Sequence, residues 1–334
     1  MSSQSSGTSR SGQKTASGFP AERKARVEWV TIDDDQAGQR VDNFLINRLG
    51  GVPRSVVYRI LRKGEVRVNR GRVKPPYKLR AGDEVRVPPV TRRNDAPERV
   101  VPGARVQRVV EKAICHEDDR MLVINKPEGM AVHGGSGLSF GLIEVLRAAR
   151  PDARFLELVH RLDRDTSGLV MIARKRSALR HLQEEIRSRR VTKRYQVLVA
   201  GDWPESCTAV DHPLERYERQ SGERMVRVSD SGKSALTRFR VLERFQGYTL
   251  MEAFPVTGRT HQIRVHAASQ GHPVAGDDKY MDGAALKAFR SAGGERLMLH
   301  ASGLELTAPD DQPLTLEARP SRAFASLLAR LRKP

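Results

Sequence analysis

Apolar residues recur with helical spacing in two short stretches, which begin at residues 41 and 53. The apolar positions are Val41, Phe44, Leu45 and Leu49 in the first stretch, and Val56, Val57, Ile60 and Leu61 in the second. Intervals of three or four residues place such side chains on one face of a helix. Gly50-Gly51 ends the first helix, whereas Pro53 opens the second, which ends near Gly64. The pattern predicts two short helices, each with one apolar face.

After Gly64 the pattern changes from helical to alternating. The segment EVRVNRGRVKPPYKLRAGDEVRVP places apolar and basic residues in turn, around the turn Asn69-Arg70-Gly71. Alternation over a few residues, interrupted by Asn and Gly, is typical of short strands joined by a tight turn. Together with the two helices, it predicts a compact small domain over residues 38–90.

The rest of the chain mixes helical and strand patterns without regular order. A buried strand over residues 121–125, a Lys-Pro turn and a glycine-rich loop come first, and the helical segment FGLIEVLRAAR follows. Beyond Lys193 three segments have strand character: RYQVLVAG, ALTRFRVLERF and YTLMEAF. Because strands and helices do not alternate as they do in doubly wound folds, the expected fold class is α+β.

Polar and proline-rich segments separate the predicted parts. Residues 1–27 are polar and of low complexity, so we expect a disordered tail there. The stretch PPVTRRNDAPERVVPG has the proline and charge content of an interdomain linker. The predicted organisation is a tail over 1–27, a small domain over 38–90, a linker over 91–107 and a larger domain over 108–325.

Positive charge is concentrated in the small domain. The chain of 334 residues has a formal net charge of +19, and residues 40–90 contain 13 Lys or Arg against 4 Asp or Glu. This local balance of +9 indicates a polyanionic partner, most simply a nucleic acid, and a merely solubilising surface is the alternative. The basic side chains that we expect to bind the polyanion include Arg54, Arg59 and Arg62.

Composition also limits the cellular setting. No apolar run approaches the length of about 18 residues that a membrane-spanning helix needs, and the N-terminus has no apolar signal region. Cys115 and Cys207 stand far apart without a pairing pattern, as expected in a reducing compartment. We therefore expect a cytoplasmic protein with no membrane partner.

The segment HRLDRDTSGL contains two carboxylates in a basic setting. Asp165 precedes Thr-Ser-Gly, so its side chain is expected to accept backbone N–H bonds in a turn. Asp163 lies near Arg161 and Arg164, which favour its ionised form, and an ionised carboxylate can act as a nucleophile or a base. On this segment alone, an ordinary surface ion pair is the better explanation of Asp163.

Two other sequence patterns suggest different kinds of site, an esterase nucleophile and a zinc site. Residues 137–141, GLSFG, match the G-x-S-x-G pattern of esterases, but that site needs a strand leading into Ser139, and the preceding residues are glycine-rich. His261 and His266 are five residues apart, rather than the four of a helical zinc pair, and no cysteine accompanies them. The sequence therefore predicts neither an esterase nor a metal centre.

Five segments, taken together, change the interpretation of Asp163. In chain order they are NKPEGMAVHGG, HRLDRDTSGL, KRYQVLVAG, PVTGRTHQIRVHA and RLMLHASGLEL. This set, in this order, resembles the motifs of the RluA-type pseudouridine synthases, and the small basic domain resembles the S4 RNA-binding domain. The resemblance implies an S4 domain followed by a catalytic domain built on a mixed, mainly antiparallel sheet flanked by helices.

The resemblance also implies roles for individual residues. Asp163 would be the catalytic nucleophile, Tyr195 would pack on the target uracil and take part in proton removal, and Arg264 would pair with Asp163. The expected RNA or substrate contacts are Arg161, Arg54, Arg59, Arg62 and Leu299. The target base would leave its stack to be reached, as in other enzymes that act on bases. The implied reaction, conversion of uridine to pseudouridine, involves no net redox change. We therefore expect no cofactor and no metal.

Within the family, the stretch GGSGLSFG…RPDARFLELVHRLDRDTSGL is most similar to one branch. Its implied substrates are three uridines near the peptidyl-transferase centre of 23S ribosomal RNA, and the expected partner is that RNA or a large-subunit precursor. The protein is expected to act as a monomer. One alternative is a synthase of the related RluD-like branch with other uridine targets in that RNA, and another is a non-catalytic RNA-binding ribosome assembly factor.

Overall fold

The computed structural model describes residues 26–33, 36–50, 52–90, 102–135 and 138–333. Most of the predicted tail and of the predicted linker lies outside the described residues. The chain divides into two compact units, residues 1–97 and residues 98–334.

The N-terminal unit contains both predicted helices and the predicted hairpin. Its elements are β1 (Glu28–Thr31), α1 (Val41–Arg48), α2 (Arg54–Lys63), β2 (Arg67–Val68), β3 (Gly71–Arg72) and β4 (Glu84–Val87). Gly64 ends α2 in the left-handed conformation, and the turn between β2 and β3 has positive φ at Asn69 and Arg70. A two-residue turn with positive φ at both positions has a backbone twist that matches the right-handed twist of the flanking strands.

Strand β1 was not predicted. It pairs antiparallel with β4 and completes a four-stranded sheet in the order β1-β4-β2-β3. Its four residues are too few to show a period, and only Val30 is buried. The sheet therefore begins ten residues before residue 38, where the sequence placed the start of the small domain.

The larger unit contains six helices among the described residues. They are α3 (Ala104–Lys112), α4 (Leu142–Ala149), α5 (Arg176–Arg187), α6 (Gln262–Ser269), α7 (Gly283–Ser291) and α8 (Arg322–Leu331). Two of them extend past the predicted domain limits. Residues 104–107, predicted as linker, form the first turn of α3, and α8 runs beyond residue 325 because Phe324, Leu327 and Leu328 are buried.

The strands of this unit form one large sheet and one separate hairpin. In chain order they are β5 (Ile114–Glu117), β6 (Met121–Lys126), β7 (Glu157–Leu158), β8 (Ser167–Ala173), β9 (Thr192–Ala200), β10 (Ala209–Asp211), β11 (Leu214–Glu218), β12 (Arg224–Val228), β13 (Leu236–Phe245), β14 (Tyr248–Pro255), β15 (Leu299–Thr307) and β16 (Pro313–Glu317). The main path of the sheet is β10-β13-β14-β9-β15-β8-β6-β5, with β16 beside β15 and β7 beside β8, and β11 and β12 form the separate hairpin.

The large sheet is mixed and mainly antiparallel, as predicted. Its one parallel pair among the described strands joins β15 to β8, and the helices cover both faces. Alternate residues of β6 and β8 pack against α4 on one face and α5 on the other. In the other half of the sheet, α6 packs on one face, and α7 and α8 pack on the opposite face. Within the described part of the chain, no helix is both long enough and apolar enough to cross a membrane.

Candidate active site

Five of the predicted site residues line one cavity of about 240 Å³. They are Arg161, Asp163, Tyr195, Arg264 and Leu299. Asp163 comes from the loop between β7 and β8, Tyr195 from β9, Arg264 from α6 and Leu299 from the first residue of β15. Strands β9, β15 and β8 are adjacent in the sheet, and with α6 they bring four of the five sequence motifs to the cavity. The remaining predicted residues, Arg54, Arg59 and Arg62, are exposed on α2 of the other unit.

The Asp163 side chain is 24% exposed and lies beside the guanidinium of Arg264 in α6. The distance from Arg264 Nη1 to Asp163 Oδ2 is 3.6 Å. His261 Nε2 approaches the same oxygen at 3.8 Å. Both distances exceed the range of a hydrogen bond, so the contact between Arg264 and Asp163 is an ion pair without a hydrogen bond. No hydrogen bond to the Asp163 carboxylate is formed within the part of the chain that the structure describes.

The closest partner of Arg264 is Asp277, which the sequence analysis did not identify. Arg264 Nε and Nη2 donate to the two carboxylate oxygens of Asp277 at 2.7 and 2.6 Å. Both residues are buried, and Asp277 also accepts the backbone N–H groups of Lys279 and Tyr280. Burial opposes the charge of Arg264, but the hydrogen bonds and charge of Asp277, with the charge of Asp163, raise its pKa above the ordinary value. Arg264 is therefore a fixed, permanently charged group.

His261 is held in place by a tyrosine hydroxyl. Its Nδ1 lies 2.7 Å from Tyr280 Oη, which accepts the backbone N–H of Val226 at 3.0 Å. Burial lowers the pKa of His261 below the ordinary value, partly offset by the charge of Asp163. The residue has φ of +53°, and helix α6 begins directly after it. His261 is thus a neutral imidazole beside Asp163 at neutral pH.

Tyr195 lies in the middle of the large sheet. Its backbone pairs with Ala253 on one side and Ala301 on the other. Burial, followed by the charge of Asp163, raises the pKa of the phenol above its ordinary value. The aromatic ring and the buried side chain of Leu299 contribute apolar surface to the lining of the cavity.

A buried lysine secures the loop that carries Asp163. Lys126, the last residue of β6, donates from Nζ to the carbonyl oxygens of Pro127, Met130 and Arg164 at 2.9, 2.7 and 3.0 Å. It is 0% exposed, and burial lowers its pKa to about 7. The Lys-Pro turn of the first motif therefore connects directly to the second motif.

Asp165 does not form the turn that the sequence predicted. Its side chain is 41% exposed and lies 3.2 Å from the Arg164 guanidinium, instead of accepting backbone N–H bonds. The turn is secured by Arg296, whose Nη2 donates to Ser167 Oγ at 2.8 Å and to the carbonyl oxygens of Asp165 and Leu299. Arg296 is the first residue of the motif RLMLHASGLEL, but its partners Asp165 and Ser167 lie about 130 residues earlier in the chain, so sequence reasoning gave it no role.

The competing sequence patterns find little support in the structure. Ser139 follows an isolated bridge between Gly135 and Leu138, and not the strand that an esterase nucleophile requires. His266 is buried against Thr237 Oγ1 and the carbonyl oxygen of His212. Among the described residues, no group of three or more potential ligand side chains is arranged to hold a metal ion.

Comparison with known proteins identifies the family. The profile of the RNA pseudouridylate synthase family matches residues 120–269, and that of the S4 domain matches residues 39–85. The chain is 54% identical over 310 residues to ribosomal large subunit pseudouridine synthase C of Yersinia pestis, with 92% of this chain and 96% of that protein covered. It is 53% identical over 309 residues to the Escherichia coli protein of the same name, with 92% and 97% covered.

A solved structure agrees with these matches. Human RNA pseudouridylate synthase domain containing 4 superposes with a TM-score of 0.57 at 29% identity, over 68% of this chain and 96% of that one. The family and the fold class predicted from the five motifs and the S4-like domain are confirmed. The chain belongs to the RluA-type pseudouridine synthases with an N-terminal S4 domain, and it is therefore an isomerase.

Proposed function

We propose that this enzyme isomerises uridines to pseudouridine in 23S ribosomal RNA and that Asp163 is its nucleophile. One observation supports this most directly: the Asp163 carboxylate, beside a fixed guanidinium and free of hydrogen bonds from described residues, opens into a cavity with an aromatic wall. The names of the Yersinia pestis and Escherichia coli relatives, which specify the large ribosomal subunit, support the choice of RNA.

The reaction needs a carboxylate whose lone pairs are available. The N1–C1′ bond of uridine breaks, a C5–C1′ bond forms, the C5 proton is lost, and N1 becomes protonated, so atoms and charge balance without an oxidant. An Asp163 oxygen that attacks C1′ and one that removes the C2′ proton are both served by the same geometry. In either route the charge of Arg264 keeps the carboxylate ionised and oriented, as a preorganised electrostatic partner.

Tyr195 and Leu299 provide the surface on which the everted base would stack. Bases removed from a helix are commonly held between aromatic or apolar side chains. The raised pKa of Tyr195 keeps its phenol protonated in the resting enzyme, so the hydroxyl can take the C5 proton only if its own proton passes in the same step to a base such as N1 of the uracil, which gains a proton in the reaction. Arg161 is exposed at the edge of the cavity, where it would contact the backbone of the everted nucleotide.

The assay is tritium release from ribosomal RNA labelled at uracil C5. Asp163→Asn should abolish release and leave RNA affinity unchanged, because the amide retains the shape of the side chain and loses the nucleophilic charge. Asp165→Asn is the matched control, since its carboxylate is exposed and paired with Arg164, and it should release tritium at nearly the wild-type rate. Equal loss in both variants, or none in either, would contradict the assignment of Asp163.

The same assay separates the enzyme from a binding protein. A non-catalytic assembly factor would bind the RNA and release no tritium in the wild-type form. The proposed targets are the three uridines near the peptidyl-transferase centre, and the RluD-like targets are the alternative. Mapping of pseudouridines in 23S ribosomal RNA from a deletion strain, with and without the restored gene, shows which sites depend on this chain.

A further inference from the structure

The sheet of the N-terminal unit has one face in the core and one face outward. Val30, Val68 and Val85 lie in register across β1, β2 and β4, and all three are buried. Successive side chains in a strand point to opposite faces of the sheet, so the residues next to these valines point to the outward face. That outward row consists of Trp29, Arg86, Arg67 and Arg72, from β1, β4, β2 and β3 respectively, and is called here the Trp29 row.

The aromatic residue of this row is unusually exposed. The chain has two tryptophans, and Trp203 is 1% exposed whereas Trp29 is 51% exposed. The cation–π contacts between described residues leave the Trp29 ring free. An exposed indole costs stability, and large exposed apolar groups commonly mark a binding surface.

The three arginines of the row lack acidic partners among the described residues. Arg67 donates from Nη1 to the carbonyl oxygen of Arg70, and Arg86 donates to that of Glu65, which fixes each guanidinium by a single neutral acceptor. Arg72 lies against the Cα of Gly64. Like charges directly opposite each other on adjacent strands are destabilising. The repulsion among these three arginines is reduced when an anion with repeated charges lies across the row.

We propose that the Trp29 row binds a single-stranded segment of RNA, with one base stacked on Trp29 and the adjacent phosphates on Arg86, Arg67 and Arg72. The row crosses three strand spacings of about 4.8 Å each, so it offers about 14 Å of surface, enough for a few nucleotides. The indole selects single strands, because a base can stack on it only when it has left its own helix. The proposal rests on the proposed function only in taking RNA as the substrate.

The Trp29 row lies on strands β1 to β4, whereas other predicted RNA contacts lie on helix α2. Arg54, Arg59 and Arg62 lie on α2 and would contact phosphates of any RNA through charge alone. The Trp29 row adds a contact that does not depend on salt, since base stacking involves no counterion release. The two surfaces therefore make separable contributions to RNA affinity.

Intrinsic fluorescence tests the stacking directly. A single-stranded oligonucleotide of about 12 uridines and cytidines should quench part of the tryptophan emission of the full chain, because a base stacks on the exposed indole. Trp29→Phe should show no quenching, since the remaining Trp203 is buried. Emission of the wild-type protein that stays unquenched at saturating oligonucleotide, with saturation followed by anisotropy, would overturn the proposal.

Affinity and its salt dependence provide the second test. Trp29→Ala should weaken binding of the oligonucleotide between about 5-fold and about 150-fold, as expected for one stacked base, and Trp29→Phe should retain most of the affinity. The slope of log affinity against log salt should not change for either variant. Arg67→Gln combined with Arg72→Gln should flatten that slope by about 0.7 for each arginine. An unaltered affinity in Trp29→Ala would refute the base contact.

Catalysis distinguishes failure of this proposal from failure of the proposed function. Asp163→Asn should show the same quenching by the oligonucleotide as the wild type, because the row contains no residue of the cavity. If the wild-type protein shows quenching of Trp29 but releases no tritium, the Trp29 row is supported and the enzyme's proposed substrate is refuted. If the wild-type protein releases tritium without quenching, the proposed substrate is supported and the Trp29 row is refuted.

Discussion

Replacement of Asp277 by asparagine tests the electrostatic support of the active site. The Asp277 carboxylate is 0% exposed and accepts two hydrogen bonds from Arg264 and two from backbone N–H groups. Asparagine has nearly the same shape, but it has no charge, and its NH₂ group must face a donor in place of one acceptor oxygen. The substitution therefore leaves the buried guanidinium of Arg264 without its principal counterion.

The expected cost follows from the burial of both partners. Removing one member of a buried ion pair usually costs about 3–5 kcal/mol, because the remaining charge is uncompensated. Asp163 lies 3.6 Å from Arg264 and offsets part of this loss, so we expect a decrease near the lower end, about 3 kcal/mol. Domains are commonly stable by about 5–15 kcal/mol, so the variant should remain folded at moderate temperature.

The neighbouring Asp278 provides a matched control. Its side chain is 61% exposed, and its carboxylate is 3.7 Å from Arg264 Nη2. Because the Asp278 carboxylate is exposed to water, its interaction with Arg264 should contribute about 0–1 kcal/mol, and Asp278→Asn should change the free energy of unfolding by no more than that. The two substitutions are chemically identical and differ in burial, which is the variable under test.

Urea unfolding followed by the emission of Trp203 measures both variants. Trp203 packs in the same cluster as Ile263 and Ala267 of helix α6, so it reports on the unit that contains Arg264. A Trp29→Phe background removes the signal of the other unit. If Asp277→Asn and Asp278→Asn unfold with equal midpoints and slopes, the buried pair does not support the site and the reasoning is refuted.

Three further outcomes are expected from the structure. Gly168→Ala should destabilise the larger unit by more than about 3 kcal/mol in urea unfolding, since Gly168 has φ of +113° and an added Cβ would lie 2.2 Å from the carbonyl oxygen of Ala301. Burial lowers the pKa of His300 to about 4 from 6.5, so only the unfolded chain binds a proton between these values. The free energy of unfolding should fall by up to about 3 kcal/mol as pH drops from about 6.5 to about 4, and His300→Gln should lose that part of the slope. Neutralising Arg54, Arg59 and Arg62 together should weaken RNA binding and flatten its salt dependence by about 2 in the log–log slope, and an unchanged slope would exclude α2 from the RNA-binding surface.

Local patterns predicted the elements whose signal is contained in a few neighbouring residues. Helix α2 begins after a proline and ends at a glycine with positive φ, and the β2–β3 turn uses Asn69 and Arg70 in the left-handed region. The five motifs likewise placed Asp163, Tyr195 and Arg264 on loops and elements that converge on one cavity. Their catalytic roles remain predictions until the tritium assay is done.

Contacts that join distant segments could not be predicted in this way. The segment AGDDKY reads as an exposed polar turn, and only the fold shows that Asp277 is buried while Asp278 is exposed. Lys126 stood inside a recognised motif, yet its three carbonyl partners include one from residue 164, which no local pattern links to it. A buried cation on a helix, such as Arg264, requires a counterion, and that requirement is the signal that could have prompted a search for a second acid.

The arrangement around Asp163 explains why a second acid is useful. Arg264 directs its two best donors to Asp277 and only its third nitrogen toward Asp163, at 3.6 Å. A bidentate pair between Arg264 and Asp163 would occupy the lone pairs that a nucleophile needs. In the proposed mechanism, Asp277 would keep the guanidinium close enough to stabilise the charge of Asp163 and turned so that the carboxylate stays free to react. In Asp277→Asn the guanidinium is released toward Asp163, so single-turnover tritium release should fall by at least about 10-fold, about 1.4 kcal/mol in the barrier, while RNA affinity is unchanged. A variant that is destabilised but releases tritium at the wild-type rate would show that Asp277 supports the fold and does not orient Arg264 for catalysis.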